Sequence, residues 1–176
     1  GVDPKEVEDV VGPYPMRITP TVLSTIKEKG DAIWKQVVPE AIELDDIDAP
    51  DDPLEEDTDS PVPHLVHRYP DRVLLMVTNQ CPISCRFCTR KRLVGKPGFL
   101  KKGELDQAVA YLREHTEVRD VILSGGDPLL LPDHLIERIL KALRSIPHLE
   151  LIRFGTRVPG TLPQRITPEL CEIVKR

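Results

Sequence analysis

Cys81, Cys85 and Cys88 fall within the segment Cys81-Pro82-Ile83-Ser84-Cys85-Arg86-Phe87-Cys88, and three thiols so closely spaced point to metal ligation. Thiolates from one short loop can hold three irons of a [4Fe–4S] cluster and leave the fourth iron open to an exogenous ligand. Phe87 adds an apolar aromatic face beside the last thiol. Other readings compete. A structural zinc site would favour paired C-x2-C spacing and would need a fourth ligand, for which only a distant histidine or Cys171 is at hand. A ferredoxin-type cluster would also need a fourth cysteine, and Cys171 lies far along the chain. Three buried, unligated thiols in so short a stretch are the weakest alternative. Cluster ligation is preferred because the loop directly follows a strand-like run, and Cys171 reads as a packed thiol beside Leu170 and Val174.

Further polar groups could serve ligands. Ser124-Gly125-Gly126-Asp127 closes a second strand-like run; its glycines would let a backbone approach a ligand, and Asp127 or a nearby carbonyl could accept from an ammonium. Taken alone, the segment reads as a turn sequence ahead of a binding site. Arg90 follows the cysteines by two residues and can take a carboxylate bidentately. Arg68, Tyr69 and Arg72 suit an anionic, planar ligand, although on sequence alone they read as a surface arginine pair with the tyrosine packed on Pro70. Lys91 and Arg92 read as solvated or backbone-facing, with a functional role as the alternative, and His64 and His67 as structural.

The elements that must carry these groups alternate after residue 70. Val73–Val77 is a continuous apolar run, as for a strand buried on both faces. Leu105, Ala108, Val109 and Leu112 recur at helical spacing; Asp120–Leu123 is a second strand; Leu135, Ile139, Leu140 and Leu143 mark a second helix. Leu149–Phe154 is a third strand, and Thr167-Pro168-Glu169 opens another helix. This alternation predicts an α/β fold: a parallel sheet with right-handed crossovers, about three βα units of a barrel. The cysteines fall in the first βα loop, on the rim where such folds assemble active sites.

The first third differs. Many of the chain's 18 prolines precede Asp71, which favours short helices joined by extended segments. Thr19-Pro20 caps a helix with Gly30 as its stop, and a second short helix is predicted from Asp31 through Val38. From Glu40 to Asp59 there are eleven acidic residues and no lysine or arginine, which predicts a solvated, partly extended arm. The expected division is an arm over 1–66 and a partial barrel over 67–176. The net charge of −5 argues against nucleic-acid affinity, and no apolar run approaches a membrane span. Clustered cysteines and the lack of a leader-like start predict a cytoplasmic protein.

The C-x3-C-x2-C spacing with an aromatic before the last cysteine resembles the signature of the radical S-adenosylmethionine superfamily. The segments His67-Arg68-Tyr69-Pro70-Asp71-Arg72-Val73-Leu74, Cys88-Thr89-Arg90-Lys91-Arg92 with Val94-Gly95, Leu123-Ser124-Gly125-Gly126-Asp127 and Leu162-Pro163-Gln164-Arg165-Ile166-Thr167-Pro168-Glu169-Leu170 resemble the lysine 2,3-aminomutase family in particular. The resemblance implies a partial radical-enzyme barrel preceded by an irregular helical arm. It implies a [4Fe–4S] cluster on Cys81, Cys85 and Cys88, with Phe87 and Ser124 to Asp127 at S-adenosylmethionine. Arg90 would meet carboxylates of cofactor and substrate, and Arg68, Tyr69 and Arg72 would hold pyridoxal 5′-phosphate. The implied reaction is migration of an amino group between adjacent carbons of a free amino acid, with L-lysine foremost and glutamate or a protein-bound lysine as alternatives. A non-catalytic iron–sulfur or zinc module is the rival from another class. An external electron donor and a homo-oligomeric parent are also implied. The family's pyridoxal-binding lysine and later strands belong to a C-terminal half lacking here, so a fragment or a truncated product is expected.

Overall fold

The computed structural model describes residues 3–45 and 48–175; Asp46 of the acidic stretch and the terminal Gly1, Val2 and Arg176 lie outside the described residues. The sheet has four strands in the order β1 (Leu65–Tyr69), β2 (Arg72–Thr78), β3 (Asp120–Gly125) and β4 (Leu151–Phe154). β2, β3 and β4 run parallel, and the sheet is open. The three predicted strands and their connecting helices are present. β1 is an addition: it pairs antiparallel with β2, with Leu65 opposite Leu75 and Tyr69 opposite Arg72 across Pro70-Asp71. Arg68 and Tyr69 therefore sit on a hairpin strand rather than in a lead-in loop. A two-residue turn beside a β-type run was the sequence signal for it.

Alternation along the strands sorts the side chains. Val73, Leu75 and Val77 of β2 and Val121 and Leu123 of β3 are buried against α4 (Lys102–Glu114) and α5 (Asp133–Arg144). Leu105, Ala108, Val109 and Leu112 answer from α4, and Ile136, Ile139, Leu140 and Leu143 from α5, the faces their helical spacing predicts. Leu74 and Ile122, pointing to the opposite face, are only half-buried. The continuous apolar run thus has one fully covered face, while the other, where Met76 is buried and Leu74 half-buried, lines a concavity, as the wall of an open barrel does.

The arm is more irregular than its capping signals predict. It opens with α1 (Pro4–Val11), which the sequence reading did not anticipate. Thr19 accepts from the Val22 N–H, but α2 (Pro20–Leu23) is a single turn and ends well short of Gly30. α3 (Trp34–Val37) is equally short; Asp31 accepts from the Ile33 and Trp34 amides, which holds its carboxyl below the usual range. Val22, Val37, Val38 and Ile83 form a second small core, so the arm packs directly on the cysteine loop. After β4 come α6 (Val158–Thr161) and α7 (Pro168–Lys175). Cys171 on α7 is exposed, not packed as predicted: Leu170 takes the buried position of that turn and Cys171 points outward.

Candidate functional site

The cysteine loop leaves the carboxyl end of β2 and is clamped by the end of β3. The Gly126 N–H donates to the Thr78 carbonyl and the Asp127 N–H to that of Gln80, at 2.7 Å. A Cβ on Gly126 would meet Gln80 O at 2.4 Å, and one on Gly125, at φ +105°, would meet Thr78 O at 2.5 Å. These glycines therefore serve a backbone-to-backbone approach between two strand ends, where the sequence suggested an approach to a ligand. The Asp127 carboxylate is buried and already taken: Thr156 Oγ1 (2.6 Å), the Arg157 N–H (2.8 Å) and the Leu129 N–H (3.2 Å) all donate to it. It fixes the loop after β4.

All three cysteines of the loop are free thiols of intermediate exposure. Burial first, then the charge of Asp127 and the neighbouring thiols, push the Cys81 thiol up to about 12, against the opposing effect of Arg17. A bound metal cation would reverse that balance. The surroundings fit a thiolate-held cluster. Arg157 Nη1 donates to Cys85 Sγ at 2.9 Å, and the Arg90 N–H lies 3.3 Å from Cys88 Sγ. Tyr14 is buried and its hydroxyl has no hydrogen-bond partner among the described residues; burial first, and then the charges of Cys88, Cys85 and Cys81, push its pKa up. An orphaned donor at the cysteines suits the sulfurs of a cluster. Among the described residues no three His, Cys, Asp or Glu side chains converge on a single metal ion. A cluster instead distributes its thiolates over separate irons.

Arg90 joins the site's parts. Its Nε and Nη2 hold the buried Glu56 carboxylate, Nε at 2.8 Å from Oε2, while Nη1 reaches Ser124 Oγ at 3.3 Å and Gly125 O at 3.5 Å. Three residues read from sequence as ligand-binding thus meet at one point. Arg92 is not solvated: its side chain is 13% exposed and pairs with Asp52 and Asp57. Lys91 and Arg86 share Glu43. The acidic arm is correspondingly a counter-charge belt. Asp45, Asp48, Asp51 and Glu55 are exposed as predicted, whereas Glu43, Asp52, Glu56, Asp57 and Asp59 pair with cations of the loop and of β1.

Arg68, Tyr69 and Arg72 line one cavity of about 250 Å³ with Leu74, Ile122 and Arg90. Arg68 is paired with Asp59 and Arg72 with Asp120, each at 2.7 Å, and Tyr69 is exposed. Phe87 is 63% exposed at the cysteine loop, with the Arg157 guanidinium 5.5 Å from its ring centroid. His67 donates to or accepts from the Tyr111 hydroxyl at 2.7 Å, a structural place as expected. Sequence reasoning missed Tyr14, Glu56 and Arg157. Only Arg157 carried a signal, its place in the loop after a parallel strand; nothing singled out one glutamate in an acidic run.

Comparison with known proteins gives a consistent picture. The model of the radical SAM superfamily matches residues 75–176. The chain is 61% identical over 127 residues to an L-lysine 2,3-aminomutase of Bacillus subtilis, covering 72% of this chain and 27% of that protein. It is 50% identical over 165 residues to an L-lysine 2,3-aminomutase of Clostridium subterminale, covering 92% and 40% respectively. A glutamate 2,3-aminomutase of Clostridioides difficile is 39% identical over 173 residues, covering 97% and 41%. The chain therefore spans less than half the length of each of these relatives. No helix among the described residues is long and apolar enough to cross a membrane.

Proposed function

Because this chain belongs to the radical SAM superfamily, which implies a [4Fe–4S] cluster and S-adenosylmethionine, we propose that it is the cluster-bearing portion of an aminomutase. The reaction would move an amino group between adjacent carbons of a free amino acid, L-lysine to L-β-lysine, as the names of most of its relatives suggest. The observation that carries the reading is the meeting of Cys81, Cys85 and Cys88 with Arg90, Ser124 and Gly125 on one rim of the sheet.

Cys81, Cys85 and Cys88 would hold the cluster, which when reduced supplies the single electron that cleaves S-adenosylmethionine to a radical. The protein's own part is placement. Gly125 and Gly126 lock the cysteine loop to β3, and Asp127 locks the loop after β4. Backbone carbonyls at the end of β3 would accept from an ammonium, and Arg90, whose Nη1 reaches Ser124 Oγ and Gly125 O, would meet a carboxylate. Phe87 offers an open aromatic face beside Cys88. Arg68 and Arg72 at the cavity present guanidinium groups to a phosphate, with Tyr69 to cover a ring; pyridoxal 5′-phosphate has that chemistry.

Anaerobic reconstitution tests the reading. It should give about four irons per chain, lost in Cys81→Ser, Cys85→Ser or Cys88→Ser and kept in Cys171→Ser. S-adenosylmethionine should alter the paramagnetic resonance spectrum of the reduced cluster and be cleaved to 5′-deoxyadenosine and methionine. A cluster that ignores S-adenosylmethionine would make the chain a non-catalytic iron–sulfur module. Iron retained in Cys85→Ser would overturn the ligand assignment.

A further inference from the structure

Four cations of the cysteine loop, Arg86, Arg90, Lys91 and Arg92, are each matched by a carboxylate of the acidic arm. Arg157 is not. Among the described residues no carboxylate pairs with its guanidinium, which instead donates from Nη1 to Cys85 Sγ at 2.9 Å and from Nη2 to Gln36 Oε1 at 2.9 Å. The group is further held over the Phe87 ring, 5.5 Å from its centroid. Its backbone is pinned separately, through the N–H that donates to Asp127. A positive charge with no carboxylate partner among the described residues is thus fixed on Cys85 by three contacts, whereas Arg86, Arg90, Lys91 and Arg92 are each paired.

We infer that Arg157 is a positioning and electrostatic residue that raises the reduction potential of the cluster, making its one-electron reduction easier. The inference rests on cluster ligation by the three cysteines. In the step concerned, one electron from an external low-potential reductant enters the cluster; no bond breaks and no proton is required. The cluster gains one negative charge, and a guanidinium donating to a ligand sulfur stabilises the charged product more than the starting state. Gln36 contributes by holding the guanidinium in place, which couples the arm to the potential. Substitution of the Arg157 side chain leaves the Asp127 clamp intact, because that contact uses the backbone N–H.

The test is a redox titration of the reconstituted chain against dithionite with mediator dyes, followed by paramagnetic resonance, together with iron analysis. Arg157→Gln should leave iron content unchanged and lower the reduced-to-oxidised ratio at a fixed potential about tenfold, a midpoint about 59 mV more negative for one electron. Arg157→Lys, which keeps the charge, should recover most of the difference, within about threefold of the unaltered chain. Gln36→Ala should fall between the two. Equal midpoints for the unaltered chain and Arg157→Gln at equal iron content would overturn the inference. So would loss of iron in both Arg157 variants, which would make the residue an anchor. An unaltered chain that takes up no iron would instead remove the cluster reading beneath it.

Discussion

The sheet with α4 and α5 and the rim with the acidic arm are held together by different forces. Behind the sheet, Leu75, Leu112, Leu123, Ile136 and Leu143 are buried in one continuous apolar cluster, with ion pairs such as Lys102–Asp106 on the exposed helix surface. At the rim, the small core around Val37 and Ile83 is supplemented by ion pairs from Glu43, Asp52, Glu56 and Asp59 to loop and strand arginines. A loop that carries half-buried thiols among several arginines does not close on hydrocarbon alone, and charge closes it instead. The difference implies that the back layer tolerates acid and salt while the rim does not.

The largest effect should come from the rim's most buried pair. Glu56→Ala leaves Arg90, 14% exposed, without its carboxylate and should cost about 3–5 kcal/mol in urea unfolding. A value under about 1 kcal/mol, the range of exposed pairs, would show that the belt is ornamental. In the back layer, Leu123→Ala should cost about 3 kcal/mol through a cavity, lowering the far-UV midpoint equally with and without high salt. Gly126→Ala should cost about 1–3 kcal/mol by overpacking against Gln80 O, and its mark should be reduced iron uptake with helix content retained. Loss of helix alongside iron would erase the distinction between the regions.

A pH titration sharpens the comparison further. Burial pushes the Glu43 carboxyl up, but hydrogen bonds from Arg86 and Lys91 and the Arg86 charge outweigh it, leaving the group below its ordinary value. A carboxyl depressed in the folded state contributes stability fully present above its unfolded pKa and lost as pH falls through the folded one. Trp34, the chain's single tryptophan, packs against the rim's small core. Its fluorescence should therefore change in acid before the far-UV signal of the helices does; coincident transitions would argue for one cooperative unit. The smallest effect belongs to the exposed α4 pair Lys102–Asp106, where Lys102→Ala should change stability by no more than about 0.5 kcal/mol.

The sequence reading located three parallel strands, their helices and the cysteine loop because period and spacing are local properties. Val73 to Val77, Leu105 to Leu112 and the C-x3-C-x2-C segment carry their signals within a few residues. It misplaced what depends on distant partners. The acidic stretch looked solvated because most of the arginines it neutralises lie more than 30 residues later, as with Glu56 and Arg90, and Asp59 with Arg68 is the one local pair among those described. Gly125 and Gly126 looked ligand-facing because the Thr78 and Gln80 carbonyls they pack against belong to another strand. Composition and periodicity determine which segments can bury a face and which loop can bind metal. Only the tertiary structure decides which charge meets which, since Coulomb and hydrogen-bond energies depend on distances through space that the chain's order does not encode. That is why the spacing of Cys81, Cys85 and Cys88 was legible in the sequence, whereas the arginine donating to the Cys85 sulfur, 72 residues away, was not.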